Sequence, residues 1–233
     1  NGEYDSIGIS RSVTITNATN ADPVITDNNL PNSGRMFDIR SAGVSISGLT
    51  FDGNGNSDIL VGVRTANADG GEKIVIENNE FKNLQTAIQV GQSDVEHVVE
   101  GNDVTDAVVG VSTLTTAADV TVQDNTITVA SDGEGIGVGG DGITTLAGNT
   151  ITVSSAFTSA DITSTDDSKG DNYASYDTPR GIGLHAGTPN SAAGVSADQK
   201  SKITVEPESG QKVVDINAPS FESSGTANVG TNG

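Results

Sequence analysis

The feature that most constrains this chain is a break in strand parity that recurs at a nearly fixed interval. In VTVQDNTITVA, from Val120 to Ala130, apolar residues alternate as in a β-strand, but the step from Val122 to Ile127 is five residues. Side chains an odd number of residues apart lie on opposite faces of a strand, so the chain must turn a corner there. The last apolar residues before the corners are 30, 23, 23 and 24 residues apart, at Ile46, Ile76, Val99, Val122 and Leu146. A period near 23 residues is typical of a solenoid.

The two residues at each corner explain how the parity changes. The first residue is always of a type that tolerates a left-handed backbone, namely Gly48, Asn78, Gly101, Asp124 or Gly148. The second residue is Leu49 in the first of these corners and asparagine in the others, at Asn79, Asn102, Asn125 and Asn149. Stacked coils would bring these asparagines into one column, where their amides can satisfy buried polar groups. The sequence therefore predicts an asparagine ladder.

A third apolar pair follows each corner, as in Val61 with Val63 and Ile136 with Val138. Three short strands per repeat would stack into three parallel sheets around one core of valine and isoleucine. We therefore predict an all-β, single-stranded parallel β-helix (solenoid) of about seven coils. It would form one domain over residues 1–233, with insertions at 154–179 and 186–201 and a polar C-terminal tail at 219–233.

The repeat and the opening stretches NGEYDSIGISRSVTIT and FDIRSAGVSISGLTFDGNG resemble the right-handed parallel β-helix proteins of the pectin-lyase-like superfamily. The resemblance covers residues 4–153 and 180–216 and implies a right-handed solenoid. It is nearly silent on function, because this scaffold carries lyases, hydrolases, epimerases, viral spikes and surface proteins. Enzymes of the superfamily bind acidic sugar polymers on the outer face of the strands. For an enzyme, the resemblance would therefore implicate Asp38, Arg40, Arg64, Asp166, Asp167, Arg180 and His185.

Two observations oppose catalysis. The Asn-Thr-Asp triplet and the Arg-x-Lys motif of the polygalacturonases do not occur in the sequence. The formal net charge of -20 would also repel a polyuronate unless calcium bridged the two. We therefore expect a protein that is not an enzyme, with a calcium-assisted polysaccharide lyase or hydrolase as the alternative.

The charge and composition exclude several other classes. No cluster of lysine and arginine is present to neutralise nucleic-acid phosphates or an anionic membrane surface. No apolar run approaches the ~18 residues of a membrane-spanning helix. Cysteine is absent, which removes disulfides and thiolate chemistry. The excess of aspartate with little lysine is typical of halophilic archaeal proteins, the alternative being an acidic secreted protein that collects divalent cations.

Calcium is the one cofactor that the sequence suggests. In DGNGNSD, oxygen-bearing side chains alternate with small residues at Asp52, Asn54, Asn56 and Asp58, an order that hard cations favour. The bidentate glutamate that would complete an EF-hand type of loop is missing, because Val63 takes its place. A flexible turn between two strands explains the same residues.

Four further residues are candidates for partner contact, modification or burial. Tyr173 and Tyr176 lie in a polar insertion and suit contact with a sugar or a protein partner, or they anchor the insertion on the solenoid. Asn17 begins an N-glycosylation pattern, Asn-Ala-Thr. His97 stands where other repeats have Ile74 and Val120, so we expect it to point into the core.

The ends of a solenoid expose unpaired strand edges, and we find no amphipathic helix in the sequence to cover them. We therefore expect self-association or stacking on a neighbouring domain. The function that follows is an exported, non-catalytic, cell-surface or filament-forming module, located extracellularly, which also contacts carbohydrate. Besides the enzyme, the alternative is a viral receptor-binding spike or fibre.

Overall fold

A computed structural model describes residues 7–18, 21–26, 34–54, 61–66, 68–91, 93–113, 118–138, 143–153, 180–184, 202–205 and 214–217. All regular structure in these ranges is β, in 19 strands. The strands are β1 (Ile7–Ile9), β2 (Val13–Thr16), β3 (Val24–Thr26), β4 (Arg35–Ile39), β5 (Val44–Ser47), β6 (Thr50–Asp52), β7 (Val61–Thr65), β8 (Ile74–Glu77), β9 (Glu80–Lys82), β10 (Thr86–Val90), β11 (His97–Glu100), β12 (Asp103–Ser112), β13 (Val120–Gln123), β14 (Thr126–Val138), β15 (Ile143–Ala147), β16 (Asn149–Val153), β17 (Arg180–Leu184), β18 (Lys202–Val205) and β19 (Val214–Asn217).

The strands stack in parallel into a β-solenoid, which confirms the predicted all-β class. One sheet has seven strands in the order β18-β15-β13-β11-β8-β5-β2. The other has 12 strands, and its main path runs β1-β4-β7-β10-β12-β14-β16-β19. Neighbours in each stack come from successive turns of the chain, as in the pairing of His97 with Ile74 on one side and Val120 on the other. None of the described residues forms a helix long and apolar enough to cross a membrane.

The predicted numbers of coils and sheets are wrong. The structure shows about four turns in two sheets, rather than about seven coils in three. The strands that follow each corner and the third apolar pairs were predicted to form separate sheets. They form one sheet because β12 and β14 stay paired from one group to the other, with register shifts near Ala107.

The core consists of inward rows in which equivalent residues of successive turns lie one above another. One row places Phe51, Phe81, Val104, Ile127 and Ile151 in register, and all five are fully buried. The rings of Phe51 and Phe81 stack with centroids 4.9 Å apart and an interplanar angle of 7°. Branched and aromatic side chains suit these rows because each packs on its equivalents above and below.

The predicted insertions at 154–179 and 186–201 and the tail at 219–233 lie outside the described residues.

Candidate functional site

The four predicted ladder asparagines lie in one buried column at the corner between the two sheets. The first three donate their side-chain Nδ2 to the Oδ1 of the next asparagine, at 3.2 Å from Asn79 to Asn102, 3.0 Å from Asn102 to Asn125 and 2.9 Å from Asn125 to Asn149. Each of these Oδ1 atoms also accepts the backbone N–H of the asparagine before it. The exposed fraction of every asparagine in the column is 3% or less.

The column uses nearly all the hydrogen-bonding capacity of its amides. Asn102, for example, donates the other Nδ2 hydrogen to the Ile76 carbonyl oxygen at 2.9 Å. At the first corner, Leu49 donates only its backbone N–H to Asn79 Oδ1, so the ladder begins there without a side-chain amide. Val214 has the register position of Asn149 in the last described strand. The column thus stabilises the turn of the backbone, and its chemistry is structural.

The first corner residues adopt the left-handed backbone that the sequence predicts, and they form a second column whose side-chain contacts were not predicted. Asn78 and Asp124 have positive φ angles of 52° and 53°, and the glycines at Gly48, Gly101 and Gly148 have 62–68°. A Cβ added to Gly101 would lie 2.8 Å from Asn78 Oδ1, and one added to Gly148 would lie 2.1 Å from Asp124 Oδ1. Polar side chain and glycine therefore alternate from turn to turn, because each side chain occupies the space above the next glycine.

A row of polar side chains runs along the outer face of the larger sheet. Register places Asp38, Arg64, Gln89 and Ser112 next to one another on β4, β7, β10 and β12. Adjacent strands are about 4.8 Å apart, so the row spans roughly 14 Å along the solenoid axis. Gln89 and Ser112 were not among the sequence predictions. In the sequence, only the repeat spacing of Gln89 and Ser112 relative to Arg64 could have indicated them. Loops of different length between the coils obscure that spacing.

Arginines surround Asp38 at one end of this row. Arg40 donates to Asp38 Oδ2 through Nε at 2.8 Å and through a terminal nitrogen at 2.5 Å, and Arg35 lies 3.9 Å from the same oxygen. The side chain of Arg64 makes no hydrogen bond or ion pair among the described residues. Burial and the charge of Arg35 lower the pKa of Arg64, with a smaller contribution from Arg40, while Asp38 raises it. The structure thus brings together three of the predicted residues, Asp38, Arg40 and Arg64.

Two polar atoms of the outer row are buried without a hydrogen-bond partner. They are Asp38 Oδ1 and Ser112 Oγ, and each residue is 1% exposed. Such atoms are costly to bury unpaired, at about 1–3 kcal/mol each, so they mark places where a further group can bind.

The remaining catalytic candidates are not brought to Asp38. Arg180 lies on β17, where it pairs in register with Glu134. Because β17 is five strands along the sheet from β4, Arg180 is roughly 24 Å from Asp38. Asp166, Asp167 and His185 lie outside the described residues, and so do the partner-contact candidates Tyr173 and Tyr176.

The proposed calcium ligands form part of a hydrogen-bonded turn. Asp52 Oδ1 accepts the backbone N–H of Asn54 at 2.8 Å and the side-chain Nδ2 of Asn83 at 2.9 Å. A cation at this oxygen would compete with both donors. Asn56 and Asp58 lie outside the described residues, and the described ranges hold no group of three or more His, Cys, Asp or Glu that could bind a metal ion.

Two further predicted residues have described positions. Asn17 is exposed at the corner of the first coil, where its Nδ2 donates to the Ala21 carbonyl at 3.3 Å. His97 points inward and is 1% exposed, as its place in the repeat indicates. Burial lowers its pKa to about 4, partly offset by the backbone of Val95, although neither ring nitrogen makes a hydrogen bond of acceptable geometry.

The exposed large apolar side chains among the residues of described burial lie on the first described coil. Among the described residues, the large hydrophobic side chains that are exposed are Ile7 at 45%, Val13 at 40% and Val24 at 55%. They lie on β1, β2 and β3, each of which pairs on one side only, with β4, β5 and β6 respectively. Within the part of the chain that the structure describes, the first coil therefore presents three unpaired strand edges with apolar side chains on them.

The pairing, the two parallel sheets and the inward rows define the class of this protein as a parallel β-solenoid. Comparison with protein-family models matches residues 1–127 to the family described as right handed beta helix region. The match covers more than half of the chain, which therefore belongs to this family. The chain has no match among curated proteins or among solved structures.

Proposed function

We propose that this protein is an exported, non-catalytic module of a cell surface or filament that associates end to end through its solenoid. The observation that supports the proposal is the confinement of Ile7, Val13 and Val24 to free strand edges of one coil. Free edges with apolar side chains pair readily with further strands.

The opposite end of the solenoid offers matching edges. β17, β18 and β19 are the last described strands above β14, β15 and β16. All strand pairs among the described residues are parallel, so the last coil of one copy can pair with the first coil of another. Such a head-to-tail contact does not close on itself and propagates into a filament.

The proposed association depends on salt. A net charge of -20 produces repulsion between copies at low ionic strength. Concentrated salt screens this repulsion and strengthens apolar contacts. We propose a halophilic archaeal source on the same grounds.

Size-exclusion chromatography with light scattering, across protein concentration and from low to molar KCl, tests the proposal. The average mass of the wild-type protein should rise with concentration at high salt. Val13→Lys and Val24→Lys should raise the concentration needed for association by on the order of tenfold, because the charge lies at the edge contact. Thr14→Lys is the matched control, since Thr14 adjoins Val13 on the same strand but on the outer face.

Two outcomes would contradict end-to-end association. One is a protein that stays monomeric at every concentration and salt level. The other is an equal effect of Val13→Lys and Thr14→Lys, which would show that added charge, rather than the edge, controls assembly. A closed trimer independent of concentration would instead favour the viral spike or fibre.

Export is a separate part of the proposal. Antibody labelling of intact cells of the native host should detect the protein outside the cell. The exposed side chain of Asn17 would then be open to glycosylation, so the mass of the secreted protein should fall by one glycan on Asn17→Gln. Detection only after lysis would overturn the extracellular location.

A second candidate function is supported by the outer row of Asp38, Arg64, Gln89 and Ser112. Its spacing suits an extended polar ligand such as a polysaccharide, and a calcium-assisted lyase or hydrolase would use Asp38, Arg40 and Arg64 for chemistry. Turnover of acidic polysaccharides in the presence of calcium, lost on Arg64→Gln, would establish this enzyme in place of the non-catalytic module. Binding without turnover would support carbohydrate contact alone.

A further inference from the structure

The arginine cluster beside Asp38 has unbalanced charge. Arg35, Arg40 and Arg64 are three of the five arginines of the chain, and Asp38 is the carboxylate that pairs with Arg35 and Arg40. Within this group of four residues two positive charges are left over, in a protein whose net charge is -20. A surplus of this sign in such an acidic chain attracts an anion.

Arg64 carries most of this imbalance. Its guanidinium is partly buried, yet it makes no hydrogen bond or ion pair among the described residues, and it faces the charges of Arg35 and Arg40. A guanidinium has five N–H donors, and burial without acceptors is unfavourable. An anionic oxygen beside Arg64 would satisfy these donors and relieve the repulsion.

Asp38 Oδ1 sets a second requirement on the ligand. This oxygen is buried and accepts no hydrogen bond, whereas Oδ2 of the same carboxylate accepts two from Arg40. An ionised carboxylate can only accept hydrogen bonds. The missing partner must therefore donate a hydrogen bond, which a fully deprotonated anion cannot do.

We propose that Arg35, Arg40, Arg64 and Asp38 form a binding site for a protonated oxyanion, with hydrogen phosphate as the simplest example. Its anionic oxygens accept hydrogen bonds from the guanidinium groups, and its P–OH group donates to Asp38 Oδ1. Gln89, next to Arg64 in the row, adds an amide donor. The site is independent of the end-to-end association proposed above.

The side chains that cover Asp38 can admit such a ligand. The side chains of Arg40 and Arg35 are 58% and 36% exposed, whereas that of Asp38 is 2% exposed. Long exposed arginine side chains change rotamer easily, so they can move outward to take the anion while Asp38 stays fixed on its strand.

Sulfate provides the decisive comparison, because at neutral pH it has the charge of hydrogen phosphate but no proton to donate. Isothermal titration of the whole chain at constant ionic strength should show inorganic phosphate binding at least about tenfold more tightly than sulfate. Asp38→Asn should remove this preference, since its amide can donate to either anion. Arg64→Gln should weaken phosphate binding by on the order of tenfold or more.

The control is Lys82→Gln, which removes one positive charge from β9 of the same sheet, away from the row, where Lys82 pairs with Glu80 at 2.6 Å. It should leave phosphate affinity within about twofold. Circular dichroism of each variant establishes that it is folded before titration. Equal affinity for phosphate and sulfate in the wild-type protein, no binding of phosphate, or equal losses in Lys82→Gln and Arg64→Gln would overturn the proposal. Tighter binding of glucuronate than of phosphate would overturn it in favour of a sugar-acid site.

Discussion

At the scale of single residues, the buried polar groups of this solenoid differ in whether the stacking of coils supplies them with hydrogen-bond partners. The ladder asparagines meet that condition, because each amide finds acceptors in the turns before and after its own. His97 does not meet it, because its ring is equally buried but neither nitrogen is paired. The two cases predict opposite responses to substitution.

Removing an amide donor from the ladder should destabilise the protein strongly. Asn102→Asp keeps the size of the side chain but takes away the hydrogen bonds to Ile76 O and Asn125 Oδ1, and it brings a buried charge. The free energy of unfolding should fall by about 3 kcal/mol or more. Urea titration measures this, with the exposed Asn54→Asp as control. Equal effects of the two substitutions would show that the buried amide is not paired as described.

Substituting His97 should remove an acid sensitivity. The folded pKa is lowered from 6.5 to about 4, so the unfolded chain binds the proton more tightly. This stabilisation of the unfolded state grows as the pH falls from about 6.5 to about 4, reaching about 3 kcal/mol, and then levels off. His97→Val should lose less stability than the wild-type protein over this window, as measured by urea titration at several pH values. His185 is present in both proteins, and parallel pH profiles would count against a buried neutral His97.

At the scale of elements, each corner depends on two turns rather than one. The side chain of Asn78 fills the space above Gly101, and both residues have positive φ. Gly101→Ala should therefore lower the free energy of unfolding by about 2 kcal/mol, from backbone strain and from the contact with Asn78 Oδ1.

A double-mutant cycle separates these two contributions. In a protein that already carries Asn78→Ala, the same glycine substitution should be less destabilising by about 0.5–1 kcal/mol, since the contact with Oδ1 is gone and only backbone strain remains. Additive effects in thermal or urea unfolding would mean that successive corners do not touch.

The strands and the position of the asparagine column were predictable because they follow from the parity of the apolar residues. Ile76, Val99 and Val122 recur before each corner, and the asparagine after it has a fixed offset. The number of sheets was not predictable, because it depends on whether pairing survives the bend near Ala107, which the register shifts there allow.

The polar row on the outer face was only partly predictable. Asp38 and Arg64 were candidates through resemblance, but their adjacency to Gln89 depends on the exact register of three coils joined by loops of different length. Arg35 was missed because it shares strand parity with the buried Phe37, and parity places it inward, yet its guanidinium lies near Asp38. The position of a side chain at the start of a strand is therefore not set by alternation.

At the scale of the whole molecule, the charge of -20 should make the stability of the protein depend on salt. Repulsion among carboxylates opposes the compact state, and added ions screen it. The midpoint of thermal unfolding should therefore rise steadily as KCl increases from low to molar concentration, as followed by circular dichroism. A midpoint that is constant or falls over this range would contradict the halophilic interpretation.

The central claim is that successive coils stack with their asparagine amides bonded inside the corner, and hydrogen exchange of those amides tests it most directly. Nuclear magnetic resonance of protein labelled at asparagine should show the Nδ2 protons of Asn102 and Asn125 exchanging only on global unfolding. The exposed Asn54 amide should exchange rapidly in the same sample. If the amides of Asn102 and Asn125 exchanged as fast as that of Asn54, the column would not exist in solution and the stacking of coils would be contradicted.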